Sequence, residues 1–292
     1  MLVNLLTIDV EDWFHVLEAP AVADVARWDR LPSRVVGATR RLLDLFEAVG
    51  VRATCFVLGW VAERHPALVR EIAARGFEVA CHGWGHRLVH ALTPQQFADD
   101  LARAVAAIED AAGVRPRGFR APGFSITART PWAFDVLVEQ GFTYDASVFP
   151  GRHGHGGFPA AHAAPFVVRT PGGAEIAEFP VATVRLVGRW ATFGGGGYLR
   201  LLPAPVVAGA MRHLNARGVP ATLYLHPRDA DPDQPRIEGL SAWRRFKCYV
   251  NVGGTLPKLR WLLARFRFEA IGRFLDAPGV RSAMAHRIQE VA

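Results

Sequence analysis

Long apolar runs are missing from this sequence of 292 residues. No stretch approaches the roughly 18 uncharged residues that a membrane-crossing helix needs, so no bilayer span is expected. Nor does the N-terminal stretch have the pattern expected of a secretory leader. The chain begins MLVNLLTIDVEDW, where a short apolar run meets Asp9, Glu11 and Asp12 with no basic leader and no small-residue cleavage site. That opening reads as a first core strand of a soluble protein. Cysteine is scarce: Cys55, Cys81 and Cys248 form an odd, widely spaced set that fits a reduced, cytoplasmic chain better than a disulfide framework. Internal repeats are absent. The glycine run Gly194 to Gly197 lacks the following Lys-Ser/Thr of a phosphate loop, so it reads as a flexible or tight loop and not as a nucleotide cradle.

What is present is enough apolar material for a large core, with 50% hydrophobic and 21% charged residues. The net charge of +7 could attract an acidic polymer, nucleic acid or an anionic surface, but the excess is mostly dispersed arginine. It gathers only between Arg244 and Arg273, interleaved with Trp243, Phe246, Trp261, Phe266 and Phe268. A helix and strand with snorkelling arginines explain that stretch without a nucleic-acid partner.

Short β-branched or aromatic runs alternate with longer helical patterns through the first half, the signature of parallel strands joined by crossover helices. Strands are expected at Leu2 to Ile8, Ala53 to Leu58, Phe77 to Cys81, Gly118 to Arg120, Phe142 to Tyr144, Ile176 to Val181 and Ala221 to His226. Helices are expected at Val35 to Val49, Pro66 to Ala74, Pro94 to Ala112, Pro131 to Gln140 and Ala204 to Ala216, several opened by proline and closed by glycine. Gly151 to Gly173 has no periodicity and reads as a long surface loop. The tail is expected to hold one amphipathic helix, Leu256 to Phe266, and a short strand. The fold class is therefore α/β: a distorted (β/α) barrel of about seven parallel strands over residues 1–239, with a short C-terminal extension, residues 240–292, packed on it.

Strand after strand ends in a polar or ionisable residue: Asp9, His82, Arg120, Asp145, His226. The carboxyl ends of barrel strands converge on one face, so these residues should meet in space. His82 and His86, separated by Gly-Trp-Gly, have a spacing that brings two imidazoles within reach of one metal ion. Three carboxylates in four residues, Asp9, Glu11 and Asp12, either relieve their repulsion through a cation or cap the helix that follows. With the histidines, one carboxylate completes a two-His, one-carboxylate site with open positions. His226 closes the last strand, and an imidazole at that place suits protonation of a departing amine.

Thr7-Ile8-Asp9, His82-Gly-Trp-Gly-His86, Arg120-Ala-Pro122-Gly-Phe-Ser, Tyr144-Asp145-Ala-Ser147 and Leu225-His226-Pro227 resemble, in order and spacing, the five motifs of the polysaccharide deacetylases of carbohydrate esterase family four. The stretch Asp9-Val-Glu11-Asp12-Trp13-Phe14-His15, the glycine run with Tyr-Leu-Arg, and Phe246-Lys-Cys-Tyr249-Val-Asn251 further resemble the subgroup found with bacterial exopolysaccharide and exosortase loci. The resemblance implies a hydrolase with one divalent cation, zinc or else cobalt, acting on an N-acetylated polysaccharide or oligosaccharide, with peripheral association to a membrane export system as a further expectation. It implies Asp9 as catalytic base, His226 as general acid, Arg120 as the partner of the base, and His82 and His86 as metal ligands. Asp145 and Ser147 would line the groove with Tyr144, and a backbone N–H of that turn would meet the oxyanion. Trp84 or Trp190 would stack on sugar rings.

Family members commonly have two adjacent aspartates, base then ligand, whereas Val10 follows Asp9 here. The third ligand is then Glu11 or Asp12. Period-two alternation puts Glu11 on the side of Asp9 and favours it. Three rival functions share these residues: hydrolysis of small cyclic amides or imides on the same barrel, carbohydrate binding without catalysis, and a non-haem iron oxygenase, the last disfavoured by the βα alternation. The loop histidines His153, His155 and His162 read as solvated, with metal ligation as the alternative.

Overall fold

The computed structural model describes residues 2–17, 19–151, 154–158, 162–186 and 189–291. Its strands are β1 (Val3–Val10), β2 (Thr54–Val57), β3 (Glu78–Cys81), β4 (Gly118–Phe119), β5 (Tyr144–Asp145), β6 (Phe166–Arg169), β7 (Glu175–Glu178), β8 (Thr183–Leu186), β9 (Arg189–Thr192), β10 (Thr222–Leu225), β11 (Arg267–Glu269) and β12 (Ile288–Glu290). The helices are α1 (Val25–Trp28), α2 (Val35–Ala48), α3 (Gly59–Arg64), α4 (Pro66–Ala74), α5 (Pro94–Ala112), α6 (Trp132–Glu139), α7 (Gly196–Leu201), α8 (Ala204–Asn215), α9 (Ala242–Tyr249), α10 (Thr255–Leu263), α11 (Ile271–Leu275) and α12 (Val280–Ala285).

Helix boundaries follow local chemistry. Thr93 caps α5 through a reciprocal box with Gln96, Pro94 supplies the first turn, and Gly113 ends the helix at φ 71°. The buried side chains of α5, among them Phe97, Leu101, Val105 and Ile108, recur at three- and four-residue spacing and face the sheet.

Strands β10, β1, β2, β3, β4, β5 and β7 lie side by side in that order, each pair parallel. Between the two ends of this run, Ala182 N–H donates to Thr222 O at 3.1 Å and Tyr224 N–H to Gly194 O at 2.7 Å, so the segments flanking the β8–β9 hairpin span the gap. The α/β fold with a mostly parallel sheet is as expected. Every residue of β1 after Val3 is buried, as a central parallel strand requires.

The region expected as a featureless loop after Gly151 contains β6, which pairs antiparallel with β7. Its alternating burial was masked by the glycine- and histidine-rich residues before it. The tail holds more than one helix and a strand. Strand β11 pairs with Val3–Leu5 of β1, filling the edge that the shorter β2 leaves beyond its register of Thr7 to Val10, and β12 pairs with β6. Helix α11 covers the amino end of the barrel: Thr54 Oγ accepts from Ile271 N–H at 2.8 Å, and Glu78 accepts from Gly272 N–H at 2.9 Å. No described helix is long and apolar enough to cross a membrane.

Candidate active site

The carboxyl ends of the strands open onto a cleft of about 240 Å³ lined by Asp9, Glu11, His15, His82, His86 and His226, among others. Strand β1 delivers Asp9, and a tight turn follows in which Glu11 N–H donates to Asp9 O at 3.0 Å. Strand β3 delivers His82, whose Nδ1 lies 2.7 Å from Arg120 O. A carbonyl can only accept, so Nδ1 carries the proton and Nε2 keeps a free lone pair. Burial lowers the His82 pKa to about 4, against the opposing pull of Asp9, which keeps the ring neutral near pH 7.

His86 reaches the same point because the loop before it is bent sharply. Gly83 has φ 72° and His86 itself φ 52°. Asp100 on α5 holds this loop, accepting from Trp84 N–H at 2.7 Å and Gly85 N–H at 3.3 Å. His86 Nε2 then lies 2.6 Å from Glu11 Oε2. One ligand atom from each of Glu11, His82 and His86 falls within 4.8 Å of the others.

Those three residues fit a divalent cation. Glu11 Oε2 is buried 2.6 Å from His86 Nε2, a contact that a shared proton or a shared cation would satisfy. One carboxylate oxygen and two imidazole nitrogens form a donor set suited to zinc. Burial opposes ionisation of Glu11, but His86, His226 and Arg228 outweigh it and hold the carboxyl below its ordinary range. Asp12 is committed elsewhere. Its carboxylate accepts from the N–H groups of Trp13 at 2.9 Å and Arg34 at 3.1 Å and from the Ser33 hydroxyl, at the entrance to α2. The structure brings Glu11, and not Asp12, into the cluster.

Asp9 is buried against Arg120, whose Nη1 donates to Asp9 Oδ1 at 2.7 Å and to Thr7 Oγ1 at 2.8 Å. Arg120 Nε donates to Ala146 O at 3.1 Å, and its guanidinium lies 4.2 Å from the Phe56 ring centre. His226 Nε2 stands 4.0 Å from Asp9 Oδ2 and 3.6 Å from Glu11 Oε1. Its Nδ1 faces Asp229 Oδ2 at 3.2 Å. Asp229 also accepts from His226 N–H at 2.8 Å and pairs with Arg200 at 3.2 Å. Burial disfavours the Asp229 carboxylate, but Arg200 and His226 outweigh burial and keep it ionised.

Four residues expected to contact substrate do not reach the cleft. Trp84 sits behind the loop that carries His86, donating from Nε1 to Glu63 at 2.7 Å beneath the Arg103 guanidinium, 3.3 Å from its ring centre. Tyr144 points to the other end of the barrel, where its hydroxyl donates to Glu78 at 2.8 Å. Asp145 and Ser147 are fully buried behind Arg120. Ser147 Oγ donates to Asp145 at 2.6 Å and accepts from Ala121 N–H at 2.7 Å, fixing the turn after Arg120. Nor can this turn supply an oxyanion donor, because Ala146 N–H is bonded to Phe119 O and Ser147 N–H to Asp145. Trp190 is absent from the cleft lining, and the Arg185 guanidinium lies 5.5 Å from its ring centre. Of the loop histidines, His155 lines the cleft, His162 packs on Phe166, and His153 lies outside the described residues.

Sequence reasoning missed Asp229, Arg200, Asp100, Arg228 and the position of His15. His15 Nδ1 accepts from Asp12 N–H at 3.0 Å, which leaves the proton of the neutral ring on Nε2, buried in the cleft wall without a partner. Burial pushes its pKa well down, so the neutral ring prevails. The spacing His226-Pro-Arg-Asp229 was the available signal for the orienting carboxylate.

Residues 26–144 match the family model of polysaccharide deacetylases, and residues 146–276 match a domain of unknown function (DUF3473). The deacetylase match covers 119 of the 292 residues, under half of the chain. Asp9, Glu11 and His226 lie outside the deacetylase segment, so their places rest on the geometry above. A peptidoglycan deacetylase-like protein of Gibberella zeae is 36% identical over 110 residues, 37% of this chain and 32% of that protein. The peptidoglycan deacetylase of Helicobacter pylori is 34% identical over 108 residues, 37% of this chain and 36% of that one. The chain thus spans about a third of the length of these curated relatives. A solved Mycobacterium smegmatis structure, described as a polysaccharide deacetylase, aligns with a TM-score of 0.61 over 97% of this chain and 93% of that one. At 21% identity it shows a shared fold.

Proposed function

We propose that this chain is a metal-dependent hydrolase that removes N-acetyl groups from amino sugars of a bacterial exopolysaccharide. The observation that carries the reading is the convergence of Glu11, His82 and His86 beside a buried Asp9–Arg120 pair and a His226–Asp229 pair. Deacetylase names among the relatives support the reaction class. The exopolysaccharide substrate rests on the resemblance of the Asp9 to His15 stretch and of the tail, together with the separate domain match over residues 146–276.

Glu11, His82 and His86 would hold one divalent cation, with zinc favoured by the donor set, whose chemistry is to polarise a carbonyl and acidify water. Asp9, paired with Arg120, accepts the proton of the water that attacks the acetamide carbon. Arg120 is fixed by Thr7 and Ala146 and keeps the Asp9 carboxylate aimed into the cleft. His226 gives a proton to the amine as the C–N bond breaks, releasing acetate and a free amino sugar. Asp229 orients the imidazole and stabilises its cationic form, a role that Arg200 supports by holding Asp229 in place.

The test is metal analysis of the purified protein together with acetate release from a panel of N-acetylated oligosaccharides and small imides. Acetate from oligosaccharides supports the reading. Ring opening of imides with no acetate release moves the function to cyclic amides.

A further inference from the structure

The Arg228 guanidinium feels the charges of Glu11 and Asp229 but makes no direct ion pair among the described residues. It follows His226 and Pro227 on the short turn that also carries Asp229, and it lines the cleft beside Glu11. Among the described residues no carboxylate lies within ion-pair distance of it, and its Nε is buried with no hydrogen-bond acceptor. The nearby acids are already engaged. Asp229 is shared between Arg200 at 3.2 Å and His226, and Glu11 faces the metal-binding histidines. Arg228 is half-buried with its Nε hidden from water and unbonded, and a guanidinium fork that meets no carboxylate directly in a cleft wall matches a planar anionic group.

The neighbouring wall adds charge of the same sign. Helix α9 places Lys247 on the cleft, and its main chain is pinned there because Arg200 donates to Lys247 O and to Cys248 O, each at 2.7 Å. A divalent cation on Glu11, His82 and His86 would make the cleft still more positive. A neutral amino-sugar chain would offer Arg228 and Lys247 no hydrogen-bond acceptor of opposite charge.

We infer that Arg228, with Lys247, forms an anion subsite, so that the substrate carries a sugar carboxylate or phosphodiester next to the acetamide that is cleaved. This rests on the deacetylase reading and narrows its substrate class to acidic amino-sugar polymers. The guanidinium would grip the anion by two parallel hydrogen bonds, and Lys247 would act as a point charge at the mouth.

The experiment compares the metal-loaded full chain on matched N-acetylated oligosaccharides that are neutral, carry a uronate, or carry a phosphodiester. Acetate release gives kcat/KM, and calorimetry gives binding without turnover. Preference for an anionic oligosaccharide over the neutral one by roughly tenfold or more at low salt, shrinking as salt rises, is the expected result. The preferred arm identifies the anion. In Arg228→Gln that ratio should fall toward one. Arg228→Lys should restore part of it, and Lys247→Gln, at an exposed position, should reduce it less. Equal kcat/KM and equal binding on all three oligosaccharides, or an unchanged ratio in a metal-replete Arg228→Gln protein, overturns the subsite. Acetate release without charge preference overturns the subsite and leaves the deacetylase reading standing. An Arg228-dependent preference in binding, with no acetate released from any oligosaccharide, does the reverse.

Discussion

In the proposed reaction Asp9 and His226 divide the work of moving a proton, and each is held by a neighbouring charged side chain. Arg120 donates to Asp9 at 2.7 Å, and Asp229 faces His226 Nδ1 at 3.2 Å. Asp9→Asn removes the base but none of Glu11, His82 or His86. The expected outcome is full cation content with kcat lowered by about 10²- to 10⁴-fold, measured by metal analysis and acetate release. Acidification acts through His82. Its pKa falls from an ordinary 6.5 to about 4 in the fold, chiefly by burial. Between those values the unfolded chain binds the proton and the native ring does not, so native stability rises with pH through this window. In metal-free protein, taking the pH from 6.5 down to 4 should therefore cost of order 3 kcal/mol from this residue. A denaturant series across that range measures it, and His82→Gln should flatten the slope.

Asp145, Ser147 and Glu178 tie strand β5 and the following chain to β7 and to the turn that presents Arg120. Burial raises the pKa of both acids, and for Glu178 the neighbouring Asp145 adds to the rise. Glu178 Oε2 has no hydrogen-bond partner when both acids are ionised, so one proton belongs between them. Glu178→Gln, which mimics the protonated acid, is expected to cost under about 1 kcal/mol. Ser147→Ala strands the buried Ala121 N–H and is expected to cost about 1 to 3 kcal/mol by urea unfolding. The glycine run at α7 works by close approach, since a Cβ on Gly196 would stand 1.9 Å from Asp229 Oδ2. Gly196→Ala should therefore displace Asp229 and lower kcat by at least about tenfold while cation content stays intact, measured on the same two assays.

At the scale of the molecule, the alternation of strand and helix patterns made the parallel sheet legible, because each crossover helix carries its own proline start and glycine stop. Asp9, His82, Arg120 and His226 could be read as strand ends that converge. Side-chain direction was less legible. Tyr144 and Asp145 are neighbours in a motif, yet one points to the amino end of the barrel and the other into a buried acid network, and nothing in a two-residue strand specifies which faces the cleft. Elements of three or four residues, such as β12 and the β8–β9 hairpin, are too short to show a period. The tail was hardest to read: β11 and α11 complete the barrel through edges and amide groups that other segments leave open. The central claim is that Glu11, His82 and His86 hold the cation while Asp9 acts as base. Measuring cation content and acetate release on one preparation each of wild type, Asp9→Asn and His82→Ala tests it most directly. A bound cation is expected in the first two, loss of the cation in His82→Ala, and acetate at the full rate from wild type alone. Acetate release by Asp9→Asn at the wild-type rate, or wild-type protein that turns over without a bound cation, would contradict it.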